Sequence, residues 1–153
     1  MSTTVAQILR AKPDSGRTVY TVTKSDLVYD AIKLMAEKGI GALLVMEGDE
    51  IAGIVTERDY ARKVVLLDRS SKATRVEEIM TSKVRYVEPS QASEECMALM
   101  TQYRVRHLPV LDDGRLIGLV SIGDLVKSVI ADQQFTISQL EHYIQGTPAV
   151  TSA

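Results

Sequence analysis

The sequence predicts an α/β fold of the α+β type, in which two copies of a β-α-β-β-α unit pack sheet to sheet about a pseudo-two-fold axis. Two observations predict it. Residues 22–64 match residues 87–129 at an offset of 65, with identities at Val22/Val87, Ser25/Ser90, Leu34/Leu99, Met35/Met100, Leu43/Leu108, Val45/Val110, Gly53/Gly118, Val55/Val120, Asp59/Asp124 and Val64/Val129. That is ten in 43 positions, where average composition gives roughly two or three. Both copies also show short β-branched runs followed by helix-period segments. A copy of about 60 residues buries too little surface to be secure alone. Two copies sharing a core resolve this and leave two related clefts at their seam, where small-molecule sites commonly form.

The elements follow in order. Val5-Ala-Gln-Ile8-Leu9 resembles Val76-Glu-Glu-Ile79-Met80 at an offset of 71, so about six extra residues follow in the first copy, and Ala11 to Thr18, with Pro13-Asp14-Ser15-Gly16, read as a surface loop. Val19 to Val22 and Val84 to Val87 read as strands. Ser25 and Ser90 are placed as N-caps of helices, the first with Val28, Ala31, Ile32 and Met35 on one face. Hairpins follow: Ala42 to Met46 and Ile51 to Val55 about Glu47-Gly48-Asp49-Glu50, then Leu108 to Leu111 and Leu116 to Val120 about Asp112-Asp113-Gly114-Arg115. Further helices are expected near 57–67 and 122–131, and another over 132–146 with Ile137, Leu140 and Ile144 in register. The domain division is 1–70 for the first copy with its N-terminal segment and loop, 71–131 for the second, and 132–153 for a C-terminal helix and tail.

Composition narrows the function. With 153 residues, 18 Lys plus Arg against 20 Asp plus Glu and a net charge of −2, the chain has no general attraction to nucleic acid or anionic membrane. The length excludes a (β/α)₈ catalytic barrel, which needs about 200 residues or more. One cysteine and two histidines supply neither a disulfide nor a zinc cluster and fit a reducing compartment. The expectation is a cytoplasmic protein with no leader and no membrane span.

Each hairpin ends in a repeated pattern, Gly53-Ile-Val-Thr56-Glu-Arg-Asp59 and Gly118-Leu-Val-Ser121-Ile-Gly-Asp124. One reading is a capping box, in which hydroxyl and carboxylate satisfy backbone N–H groups at a helix start. The other is a ligand site. The glycine lets something approach the strand, the helix N-terminus favours phosphate, and the carboxylate can accept from a ribose diol. The two readings are compatible.

With the duplicated topology, this pattern, the run Arg106-His107-Leu108-Pro109-Val110 and the connector Glu78-Ile79-Met80-Thr81 make the chain resemble a tandem of cystathionine-β-synthase-type (CBS) domains, a stand-alone Bateman module. The resemblance runs from Val5 to about Ile130. It implies a regulatory module that binds an adenosine ligand, AMP first and NAD, ADP, ATP or S-adenosylmethionine as alternatives, and performs no chemistry. It further implies crossed clefts: Thr56 and Asp59 with Tyr86, Val87, Val105, Arg106 and His107, and Ser121 and Asp124 with Thr21, Val22, Ile40, Gly41 and Ala42. With Arg104, Arg106 and His107 beside it, the first cleft is expected to hold phosphate. The second, with Gly41 and Ala42, is expected to favour less charged ligands or stay empty. Pairing of such modules implies a homodimer acting on an unidentified regulated protein.

Alternatives stay open for single residues. His107 is a phosphate contact, a structural donor or a pH-sensitive group. Cys96, beside Met97 and Met100, reads as core packing rather than a redox sensor. No G-x-S-x-G, Walker or G-x-G-x-x-G motif occurs, so no enzyme activity is expected. The competing function is a ligand-independent dimerisation or partner-docking scaffold.

Overall fold

A computed structural model describes residues 3–13 and 18–144. The elements are α1 (Val5–Ala11), β1 (Thr21–Val22), α2 (Val28–Lys38), β2 (Ala42–Glu47), β3 (Glu50–Thr56), α3 (Glu57–Tyr60) continued by a π-helical turn (Ala61–Val65), a 3₁₀ turn (Val76–Glu78), α4 (Ser93–Tyr103), β4 (His107–Asp112), β5 (Arg115–Ser121) and α5 (Ile122–Ile144). The first lobe holds a three-stranded sheet ordered β1-β2-β3, the second a two-stranded sheet of β4 and β5. The hairpin ladders repeat in detail. Val45 pairs with Gly53 and Val110 with Gly118, and both ladders shift register immediately afterwards.

Each lobe has its own core. Val28, Ala31 and Met35 of α2 pack on Leu43, Val45 and Val55. In the second, Cys96 and Met100 of α4 pack on Leu108, Val110 and Val120. A third cluster, centred on Ala42, Leu44 and Ile54 with Val84 and Leu116 against it, fills the seam between lobes. Alternation along β2 assigns Leu44 to the seam and its neighbours Leu43 and Val45 to the lobe core, as a two-residue period requires.

The element that precedes each copy packs into the other one. Val5 and Ile8 of α1 are buried in the second lobe's core, and Val76 and Ile79 are buried in the first lobe's core. The backbone bonds match as well: Ser93 N donates to Thr3 O and Val5 N to Gln91 O, while Val28 N donates to Thr74 O and Val76 N to Asp26 O, all within 2.8–2.9 Å. The exchanged segments also explain the motif glycines. A Cβ at Gly53 would lie 2.7 Å from Thr81 O and 2.8 Å from Met80 Sδ, and one at Gly118 would lie 2.8 Å from Leu9 Cδ2. What approaches these strands closely is the exchanged segment of the neighbouring lobe.

This exchange corrects several expectations. The N-caps of α2 and α4 are Leu27 and Ala92, not Ser25 and Ser90, because exchanged carbonyls already satisfy the first helical N–H groups. No strand forms over Val84 to Val87. Thr81 exchanges both backbone bonds with Ile54 of the first lobe, and the chain reaches β4 only at the isolated bridge Val87–Val110. The first strand shortens to Thr21–Val22. The predicted helices near 122–131 and over 132–146 are one continuous helix, α5. Ala11 belongs to α1, and residues 14–17 of the predicted loop, with residues 145–153 of the tail, lie outside the described residues.

The glycine contacts give an unequal pair. Gly53→Ala meets a backbone carbonyl, which cannot rotate away, whereas Gly118→Ala meets only the end of Leu9. Urea unfolding is expected to show a loss of about 1–3 kcal/mol for Gly53→Ala and a smaller one for Gly118→Ala.

Candidate functional site

Both motif carboxylates close capping boxes. In the first, Thr56 N and Thr56 Oγ1 donate to Asp59 Oδ2 at 3.0 and 3.1 Å, and Asp59 N donates back to Thr56 Oγ1 at 3.1 Å. In the second, Ser121 N donates to Asp124 Oδ2 at 2.9 Å and Asp124 N to Ser121 Oγ at 3.2 Å. The reciprocal pattern holds each side chain at the start of its helix. Capping is therefore a role both aspartates have whatever else they contact.

Their cations differ in origin. Asp59 Oδ1 pairs with Lys63 at 3.2 Å, one turn along the same segment, with the lysine side chain 44% exposed. Asp124 Oδ2 pairs with Lys12 at 3.0 Å, whose side chain is 17% exposed. Lys12 Nζ also donates to Leu119 O at 2.9 Å. The repeat partner of Leu119, Ile54, instead accepts from the backbone N–H of Thr81. An ammonium thus stands in the second lobe where a backbone bridge stands in the first.

The remaining predicted site residues separate into two groups. Ala42 lies opposite Thr56 and His107 opposite Ser121 in their ladders. Gly41 O accepts from Glu57 N at 3.1 Å, and Arg106 O accepts from Ile122 N at 2.9 Å. The lobes meet here: a Cβ at Gly41 would lie 3.0 Å from Glu57 Oε1 and 4.0 Å from His107 Cε1, and Arg58 Nη1 donates to Arg104 O at 3.4 Å. Arg104 itself is left-handed, φ 54°, where the first copy has Gly39 at φ 66°. Val22 and Val87, in contrast, put their side chains into the lobe cores, so packing occupies them. Ile40 packs at the edge of the first core and Val105 at the edge of the second. Thr21 is exposed on β1. Exposed Tyr86 lines a hollow of about 440 Å³ with Leu111 and the β4–β5 turn residues Asp112, Asp113 and Gly114.

The side of the second cleft, expected to favour less charged ligands, also carries a cation, Lys12. His107 lies within the fields of Asp124, Lys12 and Arg106, so it joins the Ser121–Asp124 side. Burial pushes its imidazole below the ordinary histidine range, Asp124 opposes this, and Lys12 and Arg106 reinforce it. Lys12 lies inside the predicted loop Ala11 to Thr18, where no motif marks it as a site residue; the similarity of Leu9 to Met80 is the signal that its segment belongs to the exchange. A groove of about 500 Å³ opens between α1 and α5, lined by Lys12, Asp124 and Lys127 among others. Cys96 is buried, and desolvation raises its thiol to about 11, as a packing residue requires. No cluster of His, Cys, Asp and Glu able to hold a metal occurs among the described residues. No described helix is long and apolar enough to cross a membrane.

A profile of the CBS domain matches residues 15–66 and 76–131. The chain belongs to the CBS-domain family. Among similar CBS proteins, the mitochondrial CBS domain-containing protein CBSX3 of Arabidopsis thaliana is 42% identical over 151 residues, covering 95% of this chain and 73% of the relative. A solved CBS-domain protein from Burkholderia ambifaria is 86% identical, with a TM-score of 0.83 over 88% of this chain and 99% of that one. The CBS domain pair of protein MJ0100, solved with 5′-methylthioadenosine and S-adenosyl-L-methionine, is 25% identical with a TM-score of 0.72, over 86% and 99% of the two chains. CBS pairs of this kind are in general regulatory.

His107 supplies a pH test. Its lowered folded value means that its contribution to stability is kept above the unfolded histidine value of about 6.5 and is lost as pH falls through the folded value. Unfolding free energy measured across this range is expected to decline toward acid, and His107→Gln is expected to flatten that part of the slope.

Proposed function

We propose that this chain is a regulatory sensor of adenosine-containing ligands that performs no chemistry. The reading is carried by the paired hydroxyl–carboxylate motifs, Thr56 with Asp59 and Ser121 with Asp124, at helix starts on either side of the Gly41–His107 contact. Each carboxylate retains the capacity to accept further hydrogen bonds, as a ribose diol requires. Gly41, Ala42, Arg106 and His107 border the same region, with Ile40 and Val105 beside them. The adenosine ligands bound by the MJ0100 pair support the ligand class. AMP is the first choice, with NAD and ATP as alternatives.

In this reading the bound ligand bridges the lobes and alters their angle or rigidity, and a partner protein responds. The module works as a homodimer. The support is an apolar stripe along α5, where Val126, Ile130, Ile137 and Leu140 are 48–55% exposed and share one helix face. The lone buried thiol suits a reducing compartment such as the cytoplasm.

Thermal unfolding with AMP, ADP, ATP, NAD and S-adenosylmethionine tests the sensor. A ligand at 100 times its Kd adds about 2.7 kcal/mol, and no shift with any of the five favours the docking scaffold. Asp59→Ala is expected to weaken binding by about 1.5–3 kcal/mol and to cost about 1 kcal/mol of stability as a lost cap contact. Unaltered affinity by calorimetry rejects that assignment. Sedimentation is expected to report a dimer for the unmodified chain and a monomer for Ile130→Asp.

A further inference from the structure

We propose that Lys12 makes the second cleft selective for adenosine ligands that carry phosphate over the neutral nucleoside. The inference rests on the sensor reading and reverses the charge ranking of the clefts expected from sequence. Lys12 donates to Leu119 O and pairs with Asp124, and both side chains of the pair are less than one-fifth exposed. Asp124 Oδ2 accepts from both Lys12 Nζ at 3.0 Å and Ser121 N at 2.9 Å, so a ribose diol that bonds to this carboxylate draws on the same negative charge that holds the ammonium.

The energetic consequence depends on the ligand's charge. A diol drawing on Asp124 weakens an ion pair that water screens poorly, and weakening a desolvated pair is costly. A phosphate on the same ligand brings negative charge back to the ammonium; adenosine brings none. Asp59 imposes this choice less: its partner Lys63 also donates to a backbone carbonyl, Ile79 O at 2.9 Å, but is 44% exposed, so water solvates it as the pair loosens. Space and further cationic character are present beside Lys12. The groove of about 500 Å³ between α1 and α5 runs from Lys12 and Asp124 past Ser128 and Lys127, with Asp132 at its far side accepting from Thr3 Oγ1 at 3.1 Å. Arg106 adds a second positive charge near His107.

The test is calorimetric titration with AMP and with adenosine, using Asp59→Asn to isolate the second cleft. AMP is expected to bind at least tenfold more tightly than adenosine, about 1.4 kcal/mol. Adding Lys12→Met is expected to bring the ratio below threefold, and Lys12→Arg to keep it near its original value. A structural role for Lys12 would change both affinities by the same factor. An AMP-to-adenosine ratio unchanged by Lys12→Met therefore overturns the proposal, as does binding to the unmodified chain that disappears entirely in Asp59→Asn. No binding of either ligand to the unmodified chain overturns the selectivity, and the sensor reading falls with it only if ADP, ATP, NAD and S-adenosylmethionine also fail to bind.

Discussion

The reciprocal insertion of one lobe's leading segment into the other lobe's core is the constraint on which the rest of this molecule depends. Val5 and Ile8 complete the second core, and Val76 and Ile79 complete the first. Neither small hydrophobic cluster is filled by its own copy. The inserted carbonyls of Thr3 and Thr74 take the first N–H groups of α4 and α2, and the inserted side chains press on strands that only glycine can present. Seam packing through Ala42, Leu44 and Ile54 then adds to an arrangement that backbone bonds have already set.

The same exchange determines what surrounds the two aspartates. Each strand that delivers a motif hydroxyl has an inserted segment along its glycine. In the first lobe that segment makes a regular bridge through Thr81, and the neighbouring carboxylate takes its cation from its own helical segment. In the second, the segment contributes Lys12 instead. Two copies with the same capping box thus acquire different electrostatics. The difference comes from residues outside the repeated motif, so the motif alone does not rank the clefts.

Much of the architecture was legible because repetition is a strong signal. The offset of 65 located both hairpins, and even their shared register shift falls at equivalent residues, Val45/Met46 and Val110/Leu111. The capping boxes were legible for the same reason: hydroxyl and carboxylate three residues apart carry their geometry locally. What sequence did not disclose is long-range. Ser25 and Ser90 look like caps, but carbonyls about 50 and 90 residues away, in Thr74 and Thr3, hold the helix starts. Val84 to Val87 has strand composition, yet the chain approaches from the wrong lobe to pair over that length. Lys12 falls within the segment read as a loop, and its partner Asp124 is 112 residues distant.

The crossed arms also bear on how such a molecule could be assembled from its parts. A chain bearing one copy and its arm has a socket that it cannot fill by itself, because the arm is directed away from the lobe it precedes. It would complete its core by lending the arm to a second molecule and receiving one in return. Joining two copies in one polypeptide turns that mutual loan into an internal contact, with the effective concentration fixed by the connecting chain instead of by supply. Tandem duplication here is thereby a way of making a swapped dimer insensitive to dilution.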